Sequence, residues 1–207
     1  FNQDKPYDRF VLEQIAGDEL PNVYNDSLIA TGFYRLGVWD DEPDDKRLAE
    51  FDGLDDMLKT TSETFMGLTV GCARCHDHMF DPISQQDYYE MLSFFRNVRY
   101  YDKPKYEWDS PTYSPLITPQ AVFAWQNKKD KPKDAKPPWD GRKYAMTVRE
   151  RSAKPMDTHL LIRGNAGRPS KKVEPEFLKV LARTKPAIAQ SPNPFTTGRR
   201  LALARWI

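Results

Sequence analysis

The chain has 207 residues, of which 39% are hydrophobic and 13% aromatic, enough to bury one sizeable core or two small ones. No apolar run approaches the roughly 18 residues that a membrane-spanning helix needs, so no membrane span is predicted in this segment. The formal net charge is +1, but residues 1–100 carry nine Lys+Arg against 20 Asp+Glu, and residues 101–207 carry 22 against 10. This asymmetry predicts two regions that pack on each other or face different partners.

Periodic apolar residues predict helices throughout the acidic half. The predicted helices span residues 7–17, 26–37, 43–66 and 84–95. Gly17 and Gly37 are expected to end the first two, because glycine tolerates the backbone conformation that follows a last helical turn. Pro43 suits the first turn of the third helix, and Ser84 suits the cap of the fourth.

Carboxylates are dense in the run Trp39–Asp45, between the second and third helices. An EF-hand loop is excluded, because Asp45 stands where the loop needs glycine and Phe51 stands where it needs glutamate. Acidic residues at a helix start are favoured by the helix dipole, and this is the simpler interpretation. An irregular Ca²⁺ site is the alternative.

Residues 72–76 read C-A-R-C-H and contain both cysteines of the chain. C-x-x-C-H is the pattern of covalent haem c attachment, in which each thiol adds to one haem vinyl group and the adjacent histidine ligates the iron. We therefore predict one covalently attached haem c, anchored by Cys72 and Cys75, with His76 as the proximal iron ligand. Arg74, inside the motif, is a candidate cofactor-binding residue that pairs with a haem propionate.

Two other chemistries use the same residues. Cys72, Cys75, His76 and His78 offer four zinc ligands, but structural zinc sites usually draw a second pair from a distant segment. A thioredoxin-like dithiol requires a βαβ context, which the pattern around the motif lacks. Zinc and a redox-active dithiol stay as alternatives to haem.

The residue opposite His76 on the iron decides between electron transfer and an open site for small-ligand chemistry. His78 is too close in sequence to His76 to reach across the porphyrin. His159 is the one remaining histidine and is the candidate distal ligand, with a methionine or an open position as the alternatives. Arg163 and Arg168 are further candidates for pairing with propionates.

Two groups of residues next to the motif receive specific predictions. The polar residues Asp77, His78 and Asp81 are expected to cap a turn, with hydrogen bonding to the haem or to His76, or binding of a second cation, as alternatives. The fourth helix carries an aromatic and aliphatic stripe that is expected to form core and, in part, to wall the porphyrin. Its members are Tyr88, Met91, Leu92 and Phe95.

Residues 101–141 are rich in proline and lysine and predict a long irregular connection. Because these lysines do not lie on one periodic face, no nucleic-acid binding is predicted. Beyond them, residues 143–149 and 158–162 are predicted strands, and residues 163–170 the turn after the second. Residues 176–181 predict a helical turn, and residues 197–207 an amphipathic helix that the chain end cuts, so more protein is expected to follow.

Several segments resemble a known family. GLTVGCARCHDHMFDPISQQDYYEMLSFFRNV, NQDKPYDRFVLEQIAGDELPN and IATGFYRLGVWDDEPDD resemble the second planctomycete-type cytochrome-like domain family. DTHLLIRGNAGRPSKKVEPEFLKVL and GRRLALARWI resemble the opening of the planctomycete-specific domain that usually follows it, and His159 matches a histidine of that family. The resemblance implies large, exported, multidomain proteins, often with another cytochrome-like domain upstream, and no settled activity.

Together these features predict a mainly α fold, with a helical cytochrome c-like haem-binding region at residues 1–100, a Pro-rich connection at 101–141 and a small β-containing part at 142–207. Haem attachment to C-x-x-C-H takes place outside the bacterial cytoplasm, so a periplasmic or extracellular location and an upstream export signal are expected.

The leading function is an exported monohaem c-type cytochrome segment that passes electrons to a redox partner protein or a neighbouring domain of a longer chain. A haem enzyme that acts oxidatively on an extracellular polymer is one alternative. A module that binds an acidic polysaccharide, with structural haem, is the other.

Overall fold

The structure is a computed structural model that describes residues 2–40, 42–100, 113–132, 135–137, 139, 144–182 and 184–207. Its α-helices are α1 Tyr7–Ala16, α2 Asn25–Ala30, α3 Lys46–Thr61, α4 Gln85–Leu92, α5 Pro119–Gln126 and α6 Arg199–Trp206. Its strands are β1 Tyr113–Pro115, β2 Tyr144–Met146, β3 Thr158–Leu161 and β4 Pro169–Val173. β1 pairs with β2 and β3 with β4, both antiparallel. The fold thus combines helices with two small sheets, so the expectation of a mainly α chain is met only in part.

The helices predicted in the acidic half are present, with shifted ends. α1 stops before Gly17, where a side chain would collide with the carbonyl oxygen of Ser27. α2 ends early and continues as the 3₁₀ helix Thr31–Arg35. α4 begins after Ser84, whose hydroxyl accepts the backbone N–H of Asp87, as expected for a cap.

The predicted start of the third helix at Pro43 is wrong. α3 begins at Lys46, because the Asp45 carboxylate accepts the backbone N–H groups of Arg47 (2.9 Å) and Leu48 (3.0 Å). The carboxylate of Asp40 accepts the N–H of Glu42. These local bonds agree with the helix-start interpretation of the acidic run, in which Asp41 lies outside the described residues.

Predictions beyond residue 100 need more correction. β1 and α5 lie inside the predicted irregular connection, of which residues 101–112 are outside the described part. Thr118 caps α5 and Pro119 occupies its first turn, a combination of local signals that the proline and lysine content of the segment concealed. The predicted turn at 163–170 is followed by an unpredicted strand, β4. The helical turn predicted at residues 176–181 is confirmed at its end, where the N–H groups of Leu181 and Ala182 both donate to the carbonyl of Leu178 (2.9 Å each).

The C-terminal helix joins two hydrophobic clusters into one body. Leu201 and Ala204 of α6 pack with α1, while Leu203 of α6 packs with α3 and α4. Both clusters contain residues from before residue 100 and after residue 142, and the domain boundaries stay predictions. None of the described helices is both long and apolar enough to span a membrane.

A buried arginine connects α6 to the acidic half. Arg200 is completely buried, and its guanidinium donates two hydrogen bonds to Asp18 (2.7 and 2.9 Å), one to Glu150 (3.0 Å) and one to Glu19 (3.3 Å). Burial raises the pKa of Glu19 to about 8, a shift that the Arg200 charge opposes and the charges of Glu150 and Asp18 reinforce. The predicted terminal helix is present as α6. Its predicted amphipathic character is wrong, because the charged side chain of Arg200 points inward.

We expect Arg200→Met to lower the free energy of unfolding by about 3–5 kcal/mol, because three buried acidic groups lose their shared cation. Urea denaturation followed by circular dichroism measures the loss. Arg205→Met is the matched control, since Arg205 lies on the same helix and is exposed. Equal stabilities of the two variants would contradict this role of Arg200.

Candidate haem site

The C-x-x-C-H motif lies on the 3₁₀ helix Val70–Arg74 and the residues that follow it. α3 leads into it through the π-helical turn Ser62–Met66, which ends at Gly67 with a left-handed backbone (φ 66°). Ala73 is completely buried, whereas Cys72 and Cys75 are exposed and form no disulfide. The turn is therefore anchored by its apolar residues and presents both sulfurs outward.

The ring of His76 is oriented by its neighbour. Its Nδ1 lies 2.6 Å from the carbonyl oxygen of Asp77. Because a carbonyl only accepts, the proton resides on Nδ1, and Nε2 carries the lone pair. His76 is exposed, and in the neutral tautomer that this contact selects, Nε2 is the nitrogen available to a metal.

Arg74 holds the motif to α3 and does not point at the exposed sulfurs. Its guanidinium donates to Asp52 (2.5 Å) and Asp55 (3.3 Å). Partial burial opposes the charge, but the hydrogen bond to Asp52 and the charge of Asp55 raise the pKa of Arg74. A propionate would have to compete with these two carboxylates, and the cofactor contact of Arg74 stays a prediction.

The carbonyl of Arg74 is held from the other side of the motif. It accepts hydrogen bonds from the Tyr89 hydroxyl (3.0 Å) and from the Gln85 side-chain amide (2.9 Å). Both donors lie on α4. The motif is thus fixed between α3 and α4 through the side chain and the backbone of the same arginine.

His78 caps the turn that follows the motif, as predicted for the polar residues there. Its Nδ1 accepts the N–H groups of Asp81 (2.8 Å) and Phe80 (3.2 Å), so Nε2 is protonated and donates to the Thr69 hydroxyl (3.0 Å). The carboxylate of Asp77 accepts the N–H of Gln85. A zinc site with His78 as fourth ligand would break these bonds, and no group of three potential metal ligands lies together among the described residues.

The aromatic stripe of α4 does not border the motif surface. Its predicted members are each fully buried in the hydrophobic cluster shared with α3 and α6: Tyr88, Met91, Leu92 and Phe95. Protein atoms enclose these side chains, which confirms that the stripe forms core, and contact of part of it with a porphyrin stays a prediction. Large apolar side chains beside the motif that are open to solvent are those of Met79 and Phe80, 76% and 87% exposed.

The basic half of the chain contacts the motif through the end of β3. The Gln85 amide also donates to the carbonyl of Leu161 (3.1 Å), which joins the strand to the motif. Gly164 follows in the 3₁₀ turn Ile162–Gly164, and a Cβ atom on it would lie 2.7 Å from the Cys75 sulfur. The turn therefore packs directly on one of the two cysteines.

His159 lies on the same strand, opposite Lys172 of β4 and two residues before Leu161. The β3–β4 register is irregular between His159 and Leu161. The strand that carries the predicted distal ligand is thus linked to the motif through Gln85, which binds Leu161, and the turn after the strand packs on Cys75 at Gly164. Ligation of iron by His159 stays a prediction.

The residues at the motif fit a covalently attached haem. The motif and the residues directly after it offer two exposed thiols, an exposed imidazole and the exposed apolar side chains of Met79 and Phe80. The thiols would form the thioether links, His76 would supply the axial nitrogen, and Met79 and Phe80 offer apolar surface for a macrocycle.

Sequence reasoning missed the residues that position this site. Gln85 binds the carbonyl of Leu161, 76 residues later in the chain, and Gly164 packs on Cys75 from the turn that follows Leu161. The glycine at position 164 is a local signal for a left-handed turn. That this turn packs on Cys75 could not be predicted, because the two segments are distant in sequence.

Comparison with known proteins adds one finding. Residues 1–100 match the family model PSCyt2, described as a protein of unknown function (DUF1549). No curated protein and no solved structure matches the chain.

We expect Gly164→Ala to destabilise the protein more than Gly67→Ala. Both glycines have positive φ (70° and 66°), so alanine costs about 1 kcal/mol at either from backbone strain. Only at Gly164 does the new Cβ also meet the Cys75 sulfur, because nothing lies within 4 Å of a Cβ on Gly67. Urea denaturation of the unmodified protein measures the difference.

A double-mutant cycle isolates the clash. Cys75→Ala removes the sulfur, so adding it to Gly164→Ala is expected to recover the excess loss but not the strain. Equal losses at the two glycines, or strict additivity in the cycle, would show that the turn does not press on Cys75.

Proposed function

Because residues 1–100 match the PSCyt2 family model, we propose that this chain is an exported monohaem c-type cytochrome segment that passes electrons within or between proteins. The observation that carries the proposal is the state of the C-x-x-C-H turn. Cys72 and Cys75 are both exposed and unbridged, and the His76 Nδ1–H is directed to the Asp77 carbonyl. Thioether formation needs the thiols free, and iron ligation needs the lone pair on Nε2.

Haem c supplies one-electron exchange at its iron when attached. The chain contributes attachment and orientation. Cys72 and Cys75 would hold the haem through thioether links, each formed by addition of the thiol S–H across one vinyl double bond without an external oxidant or reductant. The Asp77 carbonyl fixes the His76 tautomer, and the ion pairs of Arg74 with α3 hold the turn at a constant position.

The surface around the motif supports transfer to a partner protein or a neighbouring domain. Met79 and Phe80 are large apolar side chains that are exposed within four residues of His76. Exposed apolar residues next to a site of chemistry are typical of surfaces that another protein contacts. Export follows from the proposal, because C-x-x-C-H haem is attached outside the cytoplasm.

We expect the protein produced with a periplasmic c-type maturation system to carry one haem per chain. Intact-mass spectrometry is expected to show the added mass of one haem, and the pyridine haemochrome spectrum to show two thioether links. The physical reason is that both sulfurs and the imidazole are accessible on one turn.

Cys72→Ala/Cys75→Ala is the control and is expected to keep its far-UV circular dichroism while it loses covalent haem, since both sulfurs lie at the surface. An unmodified wild-type mass would refute the haem proposal. A mass two hydrogens lower would favour the dithiol alternative.

We further propose His159 as the distal ligand, which makes the haem six-coordinate and low-spin. The expected spectrum of the reduced protein has sharp α and β bands, and His159→Ala is expected to become high-spin and bind carbon monoxide. A wild-type protein that is already high-spin and binds carbon monoxide would favour the oxidative-enzyme alternative. An unchanged low-spin spectrum in His159→Ala would assign the sixth position to another residue.

A further inference from the structure

The turn that packs on Cys75 holds an arginine in an unfavourable backbone conformation. Arg163 has φ 54° and ψ 34°. Besides Asp4, it is the one non-glycine residue with positive φ in the described part of the chain. The left-handed region disfavours residues with a Cβ, and such strain persists only where the surroundings impose it.

The surroundings of Arg163 leave the turn little freedom. Ile162 N–H donates to the carbonyl of Arg168 (3.0 Å), and Arg168 N–H donates to the carbonyl of Asn165 (2.9 Å), which closes the loop. Ala166 at its centre is buried in the main hydrophobic cluster. The strained position is therefore built into a closed, anchored turn.

The side chain held there is exposed and has no ion pair or hydrogen-bond partner among the described residues. Arg74 differs, because Asp52 and Asp55 already bind its guanidinium. Of the three arginines that the sequence offers as propionate partners, Arg163 thus combines an unoccupied guanidinium with a position directly before the glycine that contacts the Cys75 sulfur.

We infer that Arg163 is a positioning residue that binds a carboxylate of the group attached at Cys75, which in a haem c protein is a propionate. This inference rests on the proposed function and assigns one residue to it. An arginine fork binds a carboxylate through two parallel hydrogen bonds, and Arg163 directly precedes the glycine that packs on the Cys75 sulfur.

The test is the midpoint potential of the haem-loaded protein, measured by redox titration. Arg163→Gln leaves the carboxylate charge uncompensated near the iron, which disfavours the added electron. We expect the equilibrium to shift about tenfold toward the oxidised form, a fall of about 59 mV for one electron. Arg163→Lys keeps the charge and is expected to retain most of the wild-type potential.

Arg168→Gln is the matched control, because Arg168 is an exposed arginine on the same turn that also has no ion-pair partner among the described residues. A shift equal to that of Arg163→Gln would reduce the effect to general surface charge and overturn the inference. An unchanged potential in Arg163→Gln, with haem content intact, would overturn it as well.

Arg163→Gly separates the charge from the backbone. Glycine adopts positive φ without strain, so the thermal midpoint of the unloaded protein is expected to stay the same or rise, while the potential of the loaded protein falls as in Arg163→Gln. A marked loss of stability would show that Arg163 is structural. The intact mass of the wild-type protein is measured before any potential. A wild-type mass without haem would reject the proposed function, so that failure is distinguished from failure of the Arg163 inference.

Discussion

The fold depends on one buried guanidinium. Arg200 of α6 neutralises acidic groups from two distant parts of the chain, Asp18 and Glu19 after α1 and Glu150 after β2. A cation in the interior is tolerated only when its hydrogen bonds are satisfied, so these segments must meet in one geometry. The opposite charges of the two halves therefore act as a packing constraint, and they join a terminal helix to the first helix across 182 residues of sequence.

The packing of the helices also explains how the motif turn can be held in place while its reactive groups are exposed. α3, α4 and α6 share a core, and the motif turn is attached to this core through Arg74, Gln85 and Tyr89 rather than by burial of its own reactive groups. The thiols and His76 remain accessible while the backbone that carries them is held in place. Pre-organisation of this kind favours attachment chemistry, because the protein does not have to reorganise when the group is added.

Local signals in the sequence predicted elements well where the cause of the element is local. The cap of α4 at Ser84 depends on a neighbour three residues away, and its prediction is confirmed. The end of α1 before Gly17 is confirmed too, but the glycine has an ordinary right-handed backbone and is required by the close approach of Ser27, ten residues away. The predicted start of the third helix at Pro43 is wrong, because the Asp45 side chain caps the helix two residues later. The inward direction of Arg200 was not predictable, because its partners lie in segments that no local pattern connects to α6.

The sequence by itself determined the chemistry of the site: C-x-x-C-H places two sulfurs and an imidazole on one turn whatever surrounds it, because the spacing is covalent and short. The tertiary structure decided the roles of the other candidates. In the folded protein, Arg74 forms ion pairs with α3, and His78 caps the turn after the motif. The strained turn of Arg163 and Gly164 packs on Cys75. These roles depend on contacts between segments that are distant in sequence. Such contacts form only when the buried charges are paired and the apolar faces of the elements pack together.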